Sequence, residues 1–593
     1  MCGIVGYKGK EIEKTLLKKL KKLEYRGYDS VGIAVECDKG FNIFKTKGEI
    51  KNLEKLVKPT NNAVCGIGHT RWATHGRPDE NNAHPHISSD KKWVLVHNGI
   101  IENHSELKTQ LIRRGMNFYS QTDSETIAKL LQLYDCEDRL ETLIKTVSSL
   151  KGSYAIAALR ENDGILYFAK NKSPLFVALN GNEAMIASDI ICFYGFSDEY
   201  FVIDDGEVGK IENGVLTVKN NLGVVNKKAL RSEYKVVTEE NEYEHFMLKE
   251  IFETKNTLQN IYEYYSVADN YKQLSAINVN DYNKIVFVGC GTAYHACLFG
   301  AKFLTEKTGA DCFTFVASEF RYSEQRLDEK TLIFLVSQSG ETADTLAALE
   351  IAKSKGAKTV AVVNVEYSTL AANADVTVPI KAGVEIAVAS TKAYSSQVTV
   401  LYIIAAVLGS ALNDSPVSLE EIKYFTENFD FGQIQLYRRL ANVLRYQEKI
   451  FMLGRGADYY TANEASLKIK ETCYINSDTY YAGELKHGFL ALIDDNTYVV
   501  VFATERRVLS KVLCNAEEAY SRGAKLILFT CFDDVDADFI DKCEYVVKTG
   551  FTDSGLQAVA NIVPWQLIAY YTSVNKGINP DKPRNLAKSV TVE

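Results

Sequence analysis

A chain of 593 residues with 68 Lys and Arg against 76 Asp and Glu carries a formal net charge of −8. At about 150 residues per domain it needs more than one core, and 46% hydrophobic with 24% charged residues is the balance of a soluble globular protein. Together with only 9 prolines and the lack of a long Gly/Ser run, these figures exclude a dedicated nucleic-acid binder, a disordered chain and a linker-dominated one.

The first residues, Met1-Cys2-Gly3-Ile4-Val5-Gly6-Tyr7, reach Lys8 before any long apolar run and do not read as a signal peptide, so export is not expected. Up to about residue 230 short alternating or apolar runs follow one another: 2–7, 31–35, 93–97, 154–159, 165–169 and 175–179. Turn residues at 162–164 and 180–182 separate the later ones, which predicts largely antiparallel sheet. A helix is predicted over 11–23, where Ile12, Leu16, Leu17, Leu20 and Leu23 share one face and lysines cover the other. Layered sheets with helices outside fit this pattern.

A charged, helix-leaning stretch runs from 227 to 262, with 230–245 as the linker. Beyond about 280 the rhythm changes to apolar strands separated by long helical segments, the pattern of parallel sheet built from crossover units. This half repeats itself. Lys284 to Gly291 is echoed by Lys449 to Gly456 at a displacement of 165, the strand at 332–336 by 498–502 at 166, and Gly356-Ala-Lys358 by Gly523-Ala-Lys525 at 167. Two tandem α/β domains of one ancestry are expected, roughly 280–415 and 445–580. The longest apolar stretch, 398–412, is short for a membrane span, so no membrane is expected. The twelve cysteines form no Cys-x-x-Cys pair, which suits reduced thiols in a cytoplasm.

The two copies differ where chemistry would sit. After its second apolar strand the first carries Ser337-Gln338-Ser339-Gly340-Glu341-Thr342, whose hydroxyls and glycine enter a helix N-terminus and suit an anionic group. The second has Ala503-Thr504-Glu505-Arg506. A phosphate site, if there is one, belongs to the first copy; a Ser/Thr helix cap with a capping Glu explains the same residues.

Near the N-terminus, removal of Met1 would leave a chain that begins with cysteine. An α-amine of pKa ~7.7–8.0 can act as local base for a thiol of ~8.5. The runs Gly68 to Pro78, Asn81 to His86 and Val96 to Gly99 are dense in Arg, His, Thr and Asn and read as a polar pocket. Four of nine histidines, His69, His75, His84 and His86, fall here, but without zinc-motif spacing or an acidic ligand pair, so no metal is expected.

Together Cys2 to Gly6, Leu23-Glu-Tyr-Arg-Gly-Tyr-Asp-Ser30, Gly68-His-Thr-Arg-Trp-Ala-Thr-His-Gly76, His97-Asn-Gly99 and Thr122-Asp123 resemble the N-terminal-nucleophile glutaminase domain of class II amidotransferases. Ser337-Gln-Ser-Gly340, Ala389-Ser-Thr-Lys392, Gly483 to Gly488 and the terminal Arg584-Asn-Leu-Ala-Lys-Ser-Val-Thr-Val-Glu593 resemble the paired sugar-isomerase (SIS) domains of the glutamine–fructose-6-phosphate aminotransferase family. The resemblance spans essentially the whole chain. It implies an α/β multidomain protein, an αββα sandwich over 2–225, a linker and helical segment over 226–275, parallel-sheet SIS domains over 276–415 and 441–583, and a catalytic tail over 584–593. It also implies L-glutamine and D-fructose 6-phosphate as substrates, no cofactor because Lys588 itself supplies the imine, and a homodimer.

By the same resemblance Cys2 matches the nucleophile, Asn98 and Gly99 the oxyanion donors, and Arg71, Thr74, His75 and Asp123 the glutamine-binding positions, while Trp72 matches the ammonia gate. Ser337, Gln338, Ser339 and Thr342 match phosphate-binding positions, with Thr292, Val388 and Ser390 nearby. Lys588 matches the Schiff-base lysine, Glu471 the base that shuttles a proton between C1 and C2, His487 the ring-opening group, which comes from the neighbouring subunit, and Lys468 a further active-site lysine. Where the family has a serine this chain has Ala293, and Phe489 stands for a proline. The family's Glu-Gly-Ala-Leu-Lys is Glu464-Ala-Ser-Leu-Lys468, and Lys249 to Lys255 departs at Thr254 and Lys255. Loss of a neutral hydroxyl donor at 293 costs about 1 kcal/mol. A paralogue aminating another ketose phosphate and a sugar-phosphate-sensing regulator are the alternatives.

Overall fold

A computed structural model of the protein describes residues 2–73, 75–231, 242–413, 419–551 and 555–591. Thr74 and most of the expected linker, 232–241, lie outside the described residues. The chain divides into two compact units, Met1–Glu239 with Ser589–Glu593, and Glu240–Lys588.

The first unit holds an eight-stranded and a seven-stranded sheet, both antiparallel throughout. Side-chain alternation sets the layers. In the strand Trp93–Ile101, Val94 and Val96 turn inward to a core shared with Ile4, Ile67 and Ile186 of the other sheet. Trp93 and Leu95 turn outward against Leu107, Ile127 and Leu143 of the helices His104–Arg113, Ser124–Tyr134 and Arg139–Ser148. The expected lysine-faced helix, Ile12–Leu23, buries Leu16, Leu20 and Leu23 and packs on the strands Gly3–Lys8 and Cys65–Arg71 of the first sheet. Helix, sheet, sheet, helix is therefore the order of layers.

The second unit begins with the helices Phe246–Phe252 and Thr254–Tyr265 and continues into two parallel five-stranded sheets. The first runs Cys312–Val316, Lys284–Gly289, Thr331–Ser337, Lys358–Val363, Val376–Pro379 across the sheet; the second runs Asn476–Tyr481, Lys449–Gly454, Tyr498–Phe502, Lys525–Thr530, Cys543–Lys548. Both follow the order 2-1-3-4-5, so each has a crevice at the carboxyl ends of its first and third strands. Leu332 to Val336 are all fully buried because helices cover both faces, which explains why these strands show no alternation. The repeat extends to detail: the helices Thr292–Thr308 and Ala457–Cys473 are both 17 residues long, and the glycines before them share a backbone turn, φ 52° at Gly291 and 58° at Gly456.

The helix Lys392–Asn413 packs against Thr292–Thr308. Among the described residues it alone contains a window long and apolar enough to cross a membrane, Lys392–Gly409, and 94% of that window is buried. A helix apolar all round and enclosed in this way is a core helix.

Candidate functional site

Cys2 precedes the strand Gly3–Lys8, and the register that pairs Gly3 with Thr70 sets it beside Arg71 and Trp72. Its Sγ accepts from the Trp72 N–H at 3.2 Å. Burial pushes the thiol up, against the pull of the Trp72 N–H and the Arg71 guanidinium. The other sheet brings Asn98 and Gly99, and the Asn98 Nδ2 donates to the Cys2 carbonyl at 2.9 Å. Gly99 has φ 132°, and a Cβ there would stand 2.1 Å from the Ser153 carbonyl oxygen, so the strand can turn here only at a glycine.

Arg71 and Asp123 are 3% and 4% exposed. The guanidinium donates to the carbonyls of His75, Gly76 (3.2 Å) and Arg77 (3.3 Å), which curls the polar loop around it. Asp29 braces the same loop by accepting from the Ala73 N–H at 2.9 Å. Asp123 accepts from the Ile101 N–H at 2.8 Å, just beyond Gly99. His75 meets His104 edge to face at 5.1 Å, and the Trp72 ring meets Tyr28 at 6.0 Å. Cys2, Arg71, Trp72, His75, Asn98, Gly99 and Asp123 are thus gathered by strand register and one loop.

In the second unit, Ser337 ends its strand and Thr342 stands immediately before the helix Ala343–Ser354. The turn is organised from within. Ser337 Oγ accepts from the Gly340 N–H at 3.0 Å and lies 3.3 Å from Thr342 Oγ1; Ser339 Oγ accepts from the Glu341 N–H, and the Gln338 carbonyl from the Asn364 N–H. Gly340 has φ 66°, with Ser368 where its Cβ would be. The second lobe is built differently at this place. Asp458, which the 165-residue displacement aligns with Ala293, accepts from the Thr504 N–H (2.7 Å) and hydroxyl and from the Glu505 N–H. Burial raises its pKa to about 6. An internal carboxylate already fills the second loop.

Thr292 opens the helix Thr292–Thr308 and joins a buried network. Lys468 Nζ lies 3.2 Å from Thr292 Oγ1, 2.7 Å from Glu471 and 3.3 Å from Glu464, while Glu464 also accepts from Thr292 and meets His295 at 2.7 Å. Lys468 and Glu471 share a face because three residues separate them on one helix. Burial alone would lower Lys468, but the two carboxylates hold its ammonium above the ordinary lysine range.

Lys588 is 4% exposed at its side chain and ion-paired to the fully buried Glu385. Glu385 further accepts from the Thr391 and Ala393 N–H groups and from Ser390 Oγ at 2.9 Å. Burial would raise its pKa, but Lys588 and these donors hold it below the usual value. Val388 N–H donates to the Asp581 carbonyl, tying this loop to the segment before Lys588. Glu250 accepts from the Ile386 and Ala387 N–H groups. Burial and the Glu385 charge push its pKa to about 8.

That shift carries a prediction. The folded chain favours the neutral acid more than the unfolded chain does, so the stabilising contribution is complete below about 4.5 and lost as pH rises through about 8. Glu250→Gln, which imitates the neutral acid, should flatten the fall of the melting temperature between these values; an unchanged slope would refute the assignment.

His487 stands apart. It is exposed, at the end of the short turn Ala482–Lys486, and among the described residues no hydrogen bond or ion pair joins its side chain to Glu471 or Lys588. Phe489 is 3% exposed and packs on Phe451 and Tyr480 at 4.4 and 4.5 Å, so the departure from proline fills the second lobe's core. Among the described residues no three His, Cys, Asp or Glu side chains are disposed to hold a metal ion.

Known proteins match both units of the chain. The glutamine amidotransferase domain family matches residues 69–194, and the SIS domain family matches 279–407 and 443–576. A Fusobacterium nucleatum protein named glutamine–fructose-6-phosphate aminotransferase (isomerizing) is 41% identical over the full length of both chains. One of the same name from Caldanaerobacter subterraneus is 40% identical, again over both full lengths. The chain belongs to the glutamine–fructose-6-phosphate aminotransferase family. The solved C-terminal domain of the Francisella tularensis enzyme aligns over 58% of this chain and all of that one, with 33% identity and a TM-score of 0.53.

Burial makes three acids stand out to which the sequence reading gave no role, Glu250, Glu385 and Glu464. Glu385 lies four residues before the Ala389-Ser-Thr-Lys392 motif, Glu464 opens the segment that ends at Lys468, and Glu250 sits in the departing Lys249 to Lys255 segment. For Glu385 the signal in the sequence is an acid inside the apolar run Val384 to Ala389, which burial forces to have a partner; Glu464, among Asn463, Ser466 and Lys468, carries no such signal.

Proposed function

We propose that this chain transfers the amide nitrogen of L-glutamine to D-fructose 6-phosphate with isomerisation, giving D-glucosamine 6-phosphate and L-glutamate. The observation that carries the reading is a buried lysine, Lys588, paired with Glu385, which also accepts from Ser390 Oγ, in a chain whose other unit gathers Cys2, Asn98, Arg71 and Asp123. Full-length relatives of that name support it.

With Met1 removed, the Cys2 α-amine takes the thiol proton and the thiolate attacks the glutamine carboxamide. Asn98 Nδ2 and the Gly99 N–H stabilise the oxyanion, ammonia leaves past Trp72, and water releases glutamate from the thioester. Arg71 pairs with the α-carboxylate and Asp123 with the α-ammonium, with Thr74 and His75 completing the glutamine site. In the isomerase lobe Ser337, Gln338, Ser339 and Thr342 hold the phosphate, near Thr292, Val388 and Ser390. His487 opens the sugar ring. The Lys588 amine adds to C2 of the open ketose and loses water to give an imine; ammonia then displaces the lysine. Glu471, held by Lys468, moves a proton from C1 to C2, which converts the C2 imine into the 2-amino aldose. Neither half needs a cofactor.

The same reading takes the protein as a homodimer in which His487, exposed in one chain, completes the sugar site of its neighbour. Twelve free cysteines support a reducing, cytoplasmic setting. The deciding assay mixes purified protein with glutamine and fructose 6-phosphate and follows glucosamine 6-phosphate. Stoichiometric product and glutamate are expected, and no product from the wild-type chain would refute the proposal.

A further inference from the structure

Of the histidines crowded between 69 and 86, the chemistry above uses only His75. The other three form a buried cluster of tilted and edge-to-face rings, with His97 close by in the chain's second sheet. The His69 and His84 ring centroids lie 4.0 Å apart, those of His84 and His86 4.6 Å, and none of the four residues is more than 4% exposed. Burial lowers all four from the usual imidazole value, His84 and His86 well below it and His69 to about 3, which favours the neutral ring. Each makes polar contacts toward the site except His84, neither of whose ring nitrogens has a partner. His86 meets Thr122 and Tyr119 at 3.0 Å, and His97 Nδ1 lies 2.8 Å from Ser124 Oγ, which donates to Asp123.

His69 touches Asn98 itself. Its Nε2 lies 3.0 Å from both Asn98 Oδ1 and the His97 carbonyl oxygen, while its Nδ1 has no partner. A neutral imidazole has one donor and one acceptor nitrogen. A carbonyl oxygen can only accept, so the His97 carbonyl requires the hydrogen on Nε2. At the far end of the Asn98 amide the Cys2 carbonyl also can only accept, so the atom facing it is Nδ2 and the atom facing His69 is Oδ1. The two assignments, reached from opposite ends, agree.

The geometry points to His69 as a positioning residue for glutamine hydrolysis, its Nε2–H locking the Asn98 carboxamide so that Nδ2, not Oδ1, faces Cys2. Without that donor the amide can turn by half a revolution about its Cβ–Cγ bond and set an acceptor against the developing oxyanion, replacing attraction with repulsion. The buried His84 ring lies tilted against His69, and His86 meets the edge of His84, so the His69 ring is enclosed on that side. This inference rests on Asn98 as an oxyanion donor.

The test is steady-state hydrolysis of glutamine by full-length His69→Phe, His69→Gln, Asn98→Ala and the double variant His69→Phe/Asn98→Ala. Loss of one oxyanion donor costs about 10²–10³ in kcat. His69→Phe should therefore lose about 10- to 100-fold in kcat, with KM for glutamine little changed and ammonia-dependent synthesis intact. His69→Gln, whose amide nitrogen reaches the place of Nε2, should recover much of the loss. In the Asn98→Ala background His69→Phe should add nothing, because the two act through one atom. Nitrogen NMR of selectively labelled histidine should show His69 protonated at Nε2. Full kcat in His69→Phe beside a collapsed Asn98→Ala overturns the inference alone, as do additive losses in the double variant or an Nδ1-protonated ring should His69→Phe fail to fold. Full kcat in Asn98→Ala overturns the reading on which it rests.

Discussion

Cys2→Ala is expected to abolish glutamine hydrolysis and glutamine-dependent glucosamine 6-phosphate formation while leaving synthesis from ammonium salts near the wild-type rate. The covalent route disappears with the sulfur, and loss of a nucleophile of this kind costs about 10⁴-fold or more in kcat. The fold should tolerate the change, because the Sγ contacts are the Trp72 N–H at 3.2 Å and its carbonyl at 3.5 Å, and the register with Cys65–Arg71 is made by backbone. Coupled assays with glutamine and with ammonium chloride, run on one preparation, check it. Loss of both activities would mean that the cysteine serves the whole molecule rather than nitrogen supply.

The converse is expected of Lys588→Ala: no sugar product from either nitrogen source, with glutamine hydrolysis retained. Removing one partner of a buried ion pair costs about 3–5 kcal/mol when the other charge is stranded. Glu385 is not stranded, since the Thr391 and Ala393 N–H groups and the Ser390 hydroxyl still donate to it, so the lobe should remain folded. Lys588→Arg should not rescue, because a guanidinium stays protonated and cannot add to a ketone. Borohydride reduction of the wild-type chain with fructose 6-phosphate should fix the sugar to Lys588, read by peptide mass. An adduct elsewhere, or product from Lys588→Ala, would dismiss the lysine from the chemistry.

These two residues were legible in the sequence for different reasons. Cys2 stands out by place and by its company of Arg, His and Asn, whereas Lys588 is carried only by the match of Arg584 to Glu593 to a family; a lysine five residues from a terminus otherwise reads as solvated. The structure changes the sense of Lys588 from a tail residue to a buried one. Glu385 could not be read beforehand, because its role depends on three donors that reach it only when the loop 385–393 closes on itself. Asp458 is a similar case. Its alignment with Ala293 is visible in the repeat, but not that its carboxylate occupies the second loop.

The sequence by itself determined the layers. Short apolar runs separated by the turn residues at 162–164 and 180–182 dictate antiparallel strands, apolar runs such as 332–336 separated by long helical segments dictate parallel crossover units, and displacements of 165 to 167 residues dictate two related lobes. These are local patterns, written in the order of residues and enforced by burial. Only the tertiary structure decided which polar groups meet: that Cys2 lies beside Trp72, that His69 holds Asn98, that Lys588 pairs with Glu385 across some two hundred residues of chain. Such pairs are set by strand register and loop closure, and each buried polar atom is satisfied by whatever partner the fold brings to it.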